Sequence, residues 1–432
     1  MAKKIPIGKL GRTLTSGKTA ARVGGEYVKY FASRPFLSRQ QQAHARVELD
    51  RTSARILFKG LAQLKGTAMK AAQMLSQELD MLPDEIREEL AKSFNKVPPI
   101  ESGLVRTIIE EGLGRPLDEV FGSLRAKPFA AASIGQVHYG TTPDGQPVAV
   151  KVQYPGINET IRSDVSMMRT VLRPLPDYDL VEPALVEIEK RLLEEVDYVR
   201  EAKNIRYFAE NVEIPDVNFP PVYDAGCSET VLTSGFLTGT PLHEWIDRGP
   251  SQAQRDEVAR RLHEMFLLCL YEYNVLHADP HPGNFLINDD LSIGVVDFGC
   301  VKHLPADFVE GYRQLPRAVV ENNRDKYFEL ARRLGFLRNG LPPDVQDRIY
   351  ELTFRIGRWF TPVFQEEPFD FGANRQWLLE GRAFAREGYR LRRNFEVNPN
   401  FVYLDRTRYG LTRLFERLGA RLSFRNRYEW AD

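Results

Sequence analysis

Between His277 and Gly299 the chain places Asp279, then Asn284 five residues later, then a short apolar run, then Asp297 thirteen residues beyond Asn284, directly before Phe298-Gly299. The apolar runs Phe285–Ile287 and Ile293–Val296 straddle a turn, Asn288-Asp289-Asp290. A two-strand ribbon there brings Asn284 and Asp297 side by side at one end. An amide oxygen and a carboxylate at the mouth of a ribbon suit a hard cation that keeps its waters and binds substrate phosphates. The order is that of a phosphoryl-transfer site: one carboxylate to take or orient a hydroxyl proton, then an amide and a carboxylate on Mg²⁺. A rival uses the same stretch. His277, Asp279 and His281, at alternate positions, have the vocabulary of a Zn²⁺ or dinuclear hydrolase site, and the bland alternative is that the histidines cap or pack the loop.

A chain of 432 residues is long enough for two or three domains. Its formal net charge is +0, which gives no reason to expect a nucleic-acid partner. Cys227, Cys269 and Cys300 lie far apart and form no CxxC, which favours a reducing compartment and no disulfide or zinc framework. No run approaches the ~18 apolar residues of a spanning helix, and the N-terminus lacks a signal-peptide core. The expectation is a soluble, cytoplasmic protein. Charge is uneven, however: residues 1–60 hold 13 Lys+Arg against 3 Asp+Glu. Such a basic end is more often a solvated tail than a surface for anionic lipid.

Residues 40–95 contain few breakers and read as helices, one through Leu49, Ile56, Leu57, Leu61 and Leu64, another through Met69, Met74, Leu75 and Leu79. The second carries Lys70-Ala71-Ala72-Gln73, where a lysine stem can snorkel to water. After Gly112 to Pro116 the texture turns strand-like. Phe129 to Tyr139 leads through the turn Thr142–Gln146 into Val148-Ala149-Val150-Lys151-Val152-Gln153, a hairpin whose first loop is built of the small residues Ala130, Ala131, Ala132 and Ser133. Small residues let backbone approach phosphate closely, and Lys151 among valines is placed to meet an anion. From Pro183 to Ala209 the pattern is helical, with Pro183 suited to the first position. Asp197 and Glu201, four apart, share a face of that helix, and Glu195 lies well round from both. Two acidic faces therefore exist for two lysines. Glu229 to Gly239 reads as a strand running into a glycine-punctuated crossing, and Ser251 to Tyr273 as a long helix with a core stripe at Leu262, Met265, Phe266, Cys269 and Leu270.

With these pieces in order, roughly residues 50–335 resemble the UbiB/AarF family of atypical kinase-like proteins, bacterial relatives of the mitochondrial coenzyme-Q kinase-like proteins. In that family an alanine-rich loop replaces the kinase glycine-rich loop, as Ala130-Ala131-Ala132-Ser133 does here. A Lys-x-Gly-Gln motif on an N-terminal helical extension is matched by Lys70 and Gln73, with Ala72 in place of glycine. A Glu-x-Asp motif facing that lysine is matched by Glu195 and Asp197, and Glu201 matches the glutamate that pairs with the nucleotide lysine, Lys151. The resemblance implies ATP and Mg²⁺ as cofactors. Ala130, Ala131, Ala132, Ser133, Ile134, Gly135, Val137, Ala149 and Lys151 would line the nucleotide site, Asn284 and Asp297 would hold Mg²⁺, and Asp279, Lys151 and Glu201 would be catalytic. Lys70, Gln73, Glu195 and Asp197 would gate acceptor access.

The implied fold is α+β and two-lobed, protein-kinase-like, with an N-terminal helical extension and a helical C-terminus. The expected parts are a basic tail (1–40), the extension (41–125), the small lobe (126–240) and the large lobe (241–432). The implied activity is that of an atypical kinase or ATPase serving lipid or isoprenoid quinone metabolism rather than protein phosphorylation. Its implied partners are nucleotide, a lipid or quinone-pathway acceptor, and peripheral contact with the inner membrane. A nucleotide-gated scaffold without turnover is the alternative. The crossing at Ser234-Gly235 lacks the family's acidic residue, and no Ala-Pro-Glu segment follows Asp297-Phe298-Gly299. Near the C-terminus, Leu411, Leu414, Phe415, Leu418 and Leu422 form an apolar stripe flanked by Arg413, Arg417 and Arg421, expected to pack on the large lobe rather than lie in a membrane surface.

Overall fold

The computed structural model describes residues 102–429, apart from 133–134, 174–177, 336–339, 375, 378–379, 382–383 and 385–397, with scattered residues between Arg22 and Ile56. Lys70, Ala72 and Gln73 lie outside the described residues, as do Ser133 and Ile134. In chain order the elements that frame the chemistry begin with α1 (Ser102–Leu113), β1 (Ser123–Leu124), β2 (Ala130–Ala132), β3 (Gly135–Thr141) and β4 (Pro147–Gln153). Then come α2 (Ile157–Leu172), α3 (Tyr178–Glu195), α4 (Tyr198–Asn211), β5 (Val217–Asn218), β6 (Val231–Gly235) and β7 (Thr240–Pro241). The remainder is α5 (Gln252–Tyr271), β8 (Val275–His277), β9 (Phe285–Ile287), β10 (Ile293–Val295), β11 (Val301–His303), α6 (Pro343–Gln365), β12 (Phe369–Asp370), α7 (Pro399–Leu418) and β13 (Arg421–Leu422). The chain divides into two compact units, Met1–Val199 with Tyr223–Ser234, and Arg200–Val222 with Gly235–Asp432.

In the first unit a five-stranded sheet runs in the order β1-β3-β4-β6, with β2 paired to β3. Strand alternation decides which side chains do what. Val148, Val150 and Val152 of β4 are buried against Val105 and Ile109 of α1 and against Phe121, while Ala149 and Lys151 between them are half-buried on the other face. The expected turn closes where Thr142 N–H bonds the Gln146 carbonyl at 2.9 Å, with Gly145 at φ 86°. The small-residue stretch is more ordered than a loop: Ala130–Ala132 is itself a strand, in register with Gly135–Val137.

The single helix expected from Pro183 to Ala209 is two. Helix α3 starts at Tyr178, so Pro183 stands inside it rather than at its first position, and it ends at Glu195 before α4 begins at Tyr198. The break is held by Gln153 of β4, which is buried and whose side-chain amide donates to the Val196 carbonyl and, at 3.0 Å, to that of Glu229. Asp197 therefore sits in the break and does not share a helical face with Glu201.

In the second unit, β5, β10, β9 and β7 form a four-stranded sheet, and β8 pairs with β11. Helix α5 begins with a Ser251–Gln254 capping box and buries Leu262, Met265, Phe266, Cys269 and Leu270, the expected core stripe. Helix α7 buries Leu411, Leu414, Phe415 and Leu418. Its apolar stripe ends there, because Gly419 (φ 57°) caps the helix and Leu422 belongs to β13, paired with Phe369. Among the described residues no helix is long and apolar enough to cross a membrane.

Helix α7 is locked by an ion pair in the core. Arg408 bonds Glu429, which also accepts from the Tyr271 hydroxyl at 2.7 Å and from Asn426 Nδ2 at 3.0 Å. The guanidinium lies between the rings of Phe266 (5.3 Å) and Tyr312 (5.4 Å). Burial alone would raise the Glu429 carboxyl, but the charge of Arg408 and its hydrogen bond hold it below the usual carboxylate range. Because the folded value is lowered, this stabilisation is present above the ordinary glutamate range and fades as pH falls through it. Arg408→Met leaves a buried carboxylate unpaired and should cost about 3–5 kcal/mol at neutral pH. The difference in denaturant midpoint from the wild type should narrow below the ordinary glutamate range.

Candidate active site

The first unit contributes one face of a hairpin. In the β3–β4 register Val137 faces Lys151 and Tyr139 faces Ala149, so Val137, Tyr139, Ala149 and Lys151 share the half-buried side of the sheet. Lys151 Nζ lies 5.2 Å from the centroid of the Tyr198 ring, and Arg125 lies 4.5 Å over Tyr139. Gly135 is required by a close approach, since a Cβ there would come within 2.4 Å of the Val152 carbonyl oxygen and 3.0 Å of the Tyr198 hydroxyl. Tyr139 and Tyr198 were not among the expected site residues. Counting by two from Val137 would have found Tyr139, whereas Tyr198 faces the hairpin only because the helix breaks before it.

On the acidic side of the same unit, Glu195 closes α3 and Asp197 follows in the break. Asp197 rims a shallow hollow on α3 with Glu189, Lys190, Leu193 and Glu194. Lys70 and Gln73, expected opposite them, are outside the described residues.

The second unit gathers the remaining expected residues. Strands β9 and β10 form the predicted antiparallel ribbon, with Phe285 opposite Val295. One step beyond, Val296 N–H bonds the Asn284 carbonyl at 3.1 Å, which sets Asn284 beside the strand that delivers Asp297. Asn284 is buried, and its Nδ2 donates to Asp279 Oδ2 at 2.8 Å and to the Asp279 carbonyl at 3.2 Å. With Nδ2 so engaged, the amide turns its oxygen away from Asp279. Asp297 Oδ1 accepts from Gly299 N–H at 3.0 Å. An amide oxygen and a carboxylate on adjoining backbone form a donor set that fits Mg²⁺, a hard cation satisfied by few protein oxygens.

Phe298 anchors this arrangement. It is 0% exposed and packs against Phe208 (5.1 Å), Phe219 (6.1 Å) and His277 (5.4 Å between ring centroids). Its N–H reaches Glu201 Oε1 at 3.4 Å, its carbonyl accepts from Asn204 Nδ2 at 2.8 Å, and the Gly299 carbonyl accepts from Arg200 Nη2 at 2.7 Å. Arg200, Glu201 and Asn204 thus present one side of α4 to the Phe298–Gly299 backbone. Of the three only Glu201 was expected, and its neighbours at helical spacing are the signal that could have found the others. Lys151 and Glu201 belong to different units.

The histidines do loop work. His277 is buried, donates from Nε2 to the Asp297 carbonyl and meets Phe298 edge to face, with the ring planes at 87°. His281 Nδ1 accepts from Gly283 N–H at 3.1 Å, capping the turn Pro282–Asn284. Among the described residues no three His, Cys, Asp or Glu side chains gather as a metal site, so His277, Asp279 and His281 do not form the cluster of the hydrolase rival.

The profile of the ABC1 atypical kinase-like domain matches residues 92–331, more than half of the chain. The chain belongs to the ABC1 atypical kinase-like family. It is 29% identical to the mitochondrial atypical kinase COQ8B of Danio rerio over 99% of this chain and 69% of that protein. It is 30% identical to a probable protein kinase UbiB of Marinobacter nauticus over 80% of this chain and 63% of that protein. Among solved structures it is similar to the Mycobacterium tuberculosis protein Rv3197, solved in complex with erythromycin, at TM-score 0.60 and 28% identity, covering 88% of this chain and 96% of that one. Family and neighbour agree on a kinase-like fold of the α+β class, and the ABC1 profile spans both the hairpin and the Asp279–Asp297 stretch.

If Phe298 is the anchor, truncating it should loosen the second unit. Phe298→Ala should cost about 3–5 kcal/mol by urea denaturation, and Phe298→Leu clearly less.

Proposed function

We propose that this ABC1-family protein is a Mg²⁺-dependent atypical kinase or ATPase whose acceptor belongs to lipid or isoprenoid quinone chemistry. The observation that carries the reading is the hydrogen bond from Asn284 Nδ2 to Asp279 Oδ2 at 2.8 Å, which joins the residue expected on the metal to the residue expected at the acceptor. Residue roles rest on motif order together with the geometry inside each unit. Lys151 would steady the α and β phosphates, and Ala130–Ala132 with Gly135 would bring backbone close to them; Val137 and Ala149 would offer the base an apolar surface. Asn284 and Asp297 would hold Mg²⁺, which when bound offsets the negative charge of the phosphates. Glu201 would keep the backbone at Phe298 in register and partner Lys151.

Asp279 would orient the acceptor hydroxyl. The acceptor oxygen bonds the γ-phosphorus as the bond from that phosphorus to the β–γ bridging oxygen breaks. The electron pair leaves on ADP, and the hydroxyl proton passes to the Asp279 carboxylate. With water as acceptor the products are ADP and phosphate. Gating of the acceptor by Lys70 and Gln73 against Glu195 and Asp197 is part of the same reading. So is peripheral membrane contact, which the basic first 60 residues support.

Thermal-shift titration with ATP, with and without Mg²⁺, tests it. At a hundred times the dissociation constant, nucleotide should stabilise the wild type by about 2.7 kcal/mol. Asp297→Asn should lose the Mg²⁺-dependent part. Asp279→Asn should keep binding and lose phosphate release; binding without release in the wild type would favour the nucleotide-gated scaffold. No shift with any nucleotide would overturn the reading.

A further inference from the structure

The loop that carries Asp279 places no arginine directly before that aspartate. In the protein-kinase signature His-Arg-Asp an arginine precedes the aspartate, whereas here the position is Ala278, 0% exposed. A guanidinium arrives instead from α7: Arg406 Nη2 lies 3.9 Å from Asp279 Oδ1. Its Nη1 is buried and makes no hydrogen bond among the described residues. Asp279 thus meets a partner on each oxygen, a hydrogen bond from Asn284 at Oδ2 and the Arg406 guanidinium at ion-pair distance from Oδ1.

The approach of α7 is built rather than incidental. Tyr403, Arg406 and Gly410 fall at helical spacing on one face. Lys302 of β11 lies 5.6 Å over the Tyr403 ring, and a Cβ on Gly410 would meet Pro280 Cγ at 2.2 Å. Only glycine lets the helix backbone come this close to the residue after Asp279. The buried Arg408–Glu429 pair, on another side of the same helix, fixes its rotation.

Resting on the phosphoryl-transfer reading above, we propose that Arg406 is a positioning residue for Asp279, so that the C-terminal helix completes the active site. The guanidinium holds the carboxylate in the orientation that meets the acceptor hydroxyl, and it does not bind nucleotide.

The test uses the full-length chain, with phosphate release from Mg²⁺–ATP as the readout and Mg²⁺–ATP thermal shift as the control. Arg406→Ala should lower kcat by roughly 10- to 100-fold, as a carboxylate misplaced by an ångström would, while the KM for ATP and the thermal shift stay at wild-type values. Millimolar guanidinium should restore part of the rate to Arg406→Ala and none to the wild type, and Arg406→Lys should fall between. Arg413→Ala, which removes an arginine of the same helix ion-paired to Glu416, should match the wild type.

Wild-type kcat in Arg406→Ala overturns the proposal, and so does a loss that guanidinium leaves unrestored and that Arg406→Lys shares in full. A wild type that binds Mg²⁺–ATP without turnover overturns it too and leaves the nucleotide reading standing. Failure of the wild type to bind at all strikes the phosphoryl-transfer reading first.

Discussion

Burial of one ring, Phe298, decides where the charged chemistry of the second unit stands. A fully buried aromatic side chain admits few backbone conformations around it, and here five of the neighbouring backbone polar groups have partners within the unit. Val296 N–H goes to Asn284, the Asp297 carbonyl to His277, Phe298 N–H to Glu201, the Phe298 carbonyl to Asn204 and the Gly299 carbonyl to Arg200. With the backbone so accounted for, the Asp297 carboxylate is aimed by its surroundings and not by its own flexibility. The same contacts tie α4 to the loop after β10, so the helix that bears Glu201 and the loop that bears Asp297 form one packed body.

Two kinds of cohesion divide the work in this unit. The Phe208, Phe219, His277 and Phe298 rings provide non-directional burial, which tolerates small shifts. The Arg408–Glu429 pair is directional, and in a buried setting such a pair contributes register more surely than net stability. Helix α7 needs that register. Rotating it by one residue would turn Arg406 away from Asp279 and put a side chain where Gly410 meets Pro280.

Where local periodicity governs, the sequence was legible. The β9–β10 ribbon, the β3–β4 hairpin with Lys151 on its less buried face and the core stripe of α5 all follow from alternation or from 3.6-residue spacing. Where a distant residue governs, it was not. The break between α3 and α4 depends on Gln153, some forty positions upstream, whose amide takes the Val196 carbonyl; nothing in the Glu194–Glu201 run announces it. Leu422 fits the α7 stripe by spacing, yet Gly419 in the left-handed region ends the helix first. In the candidate site, the grouping of Asp279, Asn284 and Asp297 was readable because they lie close along the chain and a two-strand ribbon brings them together. Arg406 was not, because it lies more than a hundred residues beyond Asp279 and its meaning comes only from which face of α7 meets the loop.

That distance has a structural consequence. A cation placed next to Asp279 by its own loop would be present as soon as the loop folded. A cation supplied by α7 is present only once the C-terminal segment has docked through Leu411, Leu414, Phe415 and the Arg408–Glu429 pair. Docking and site completion are then one event, coupled through a helix that has a single allowed rotation. Arg413 and Arg417 take no part in this: the exposed Arg417 faces Asp247, a surface carboxylate whose pairing contributes little, and the half-buried Arg413 pairs with Glu416 three residues along its own helix. The three arginine roles on one helix, core lock, site neighbour and solvated surface, are separated by burial and by the identity of the facing carboxylate rather than by residue type.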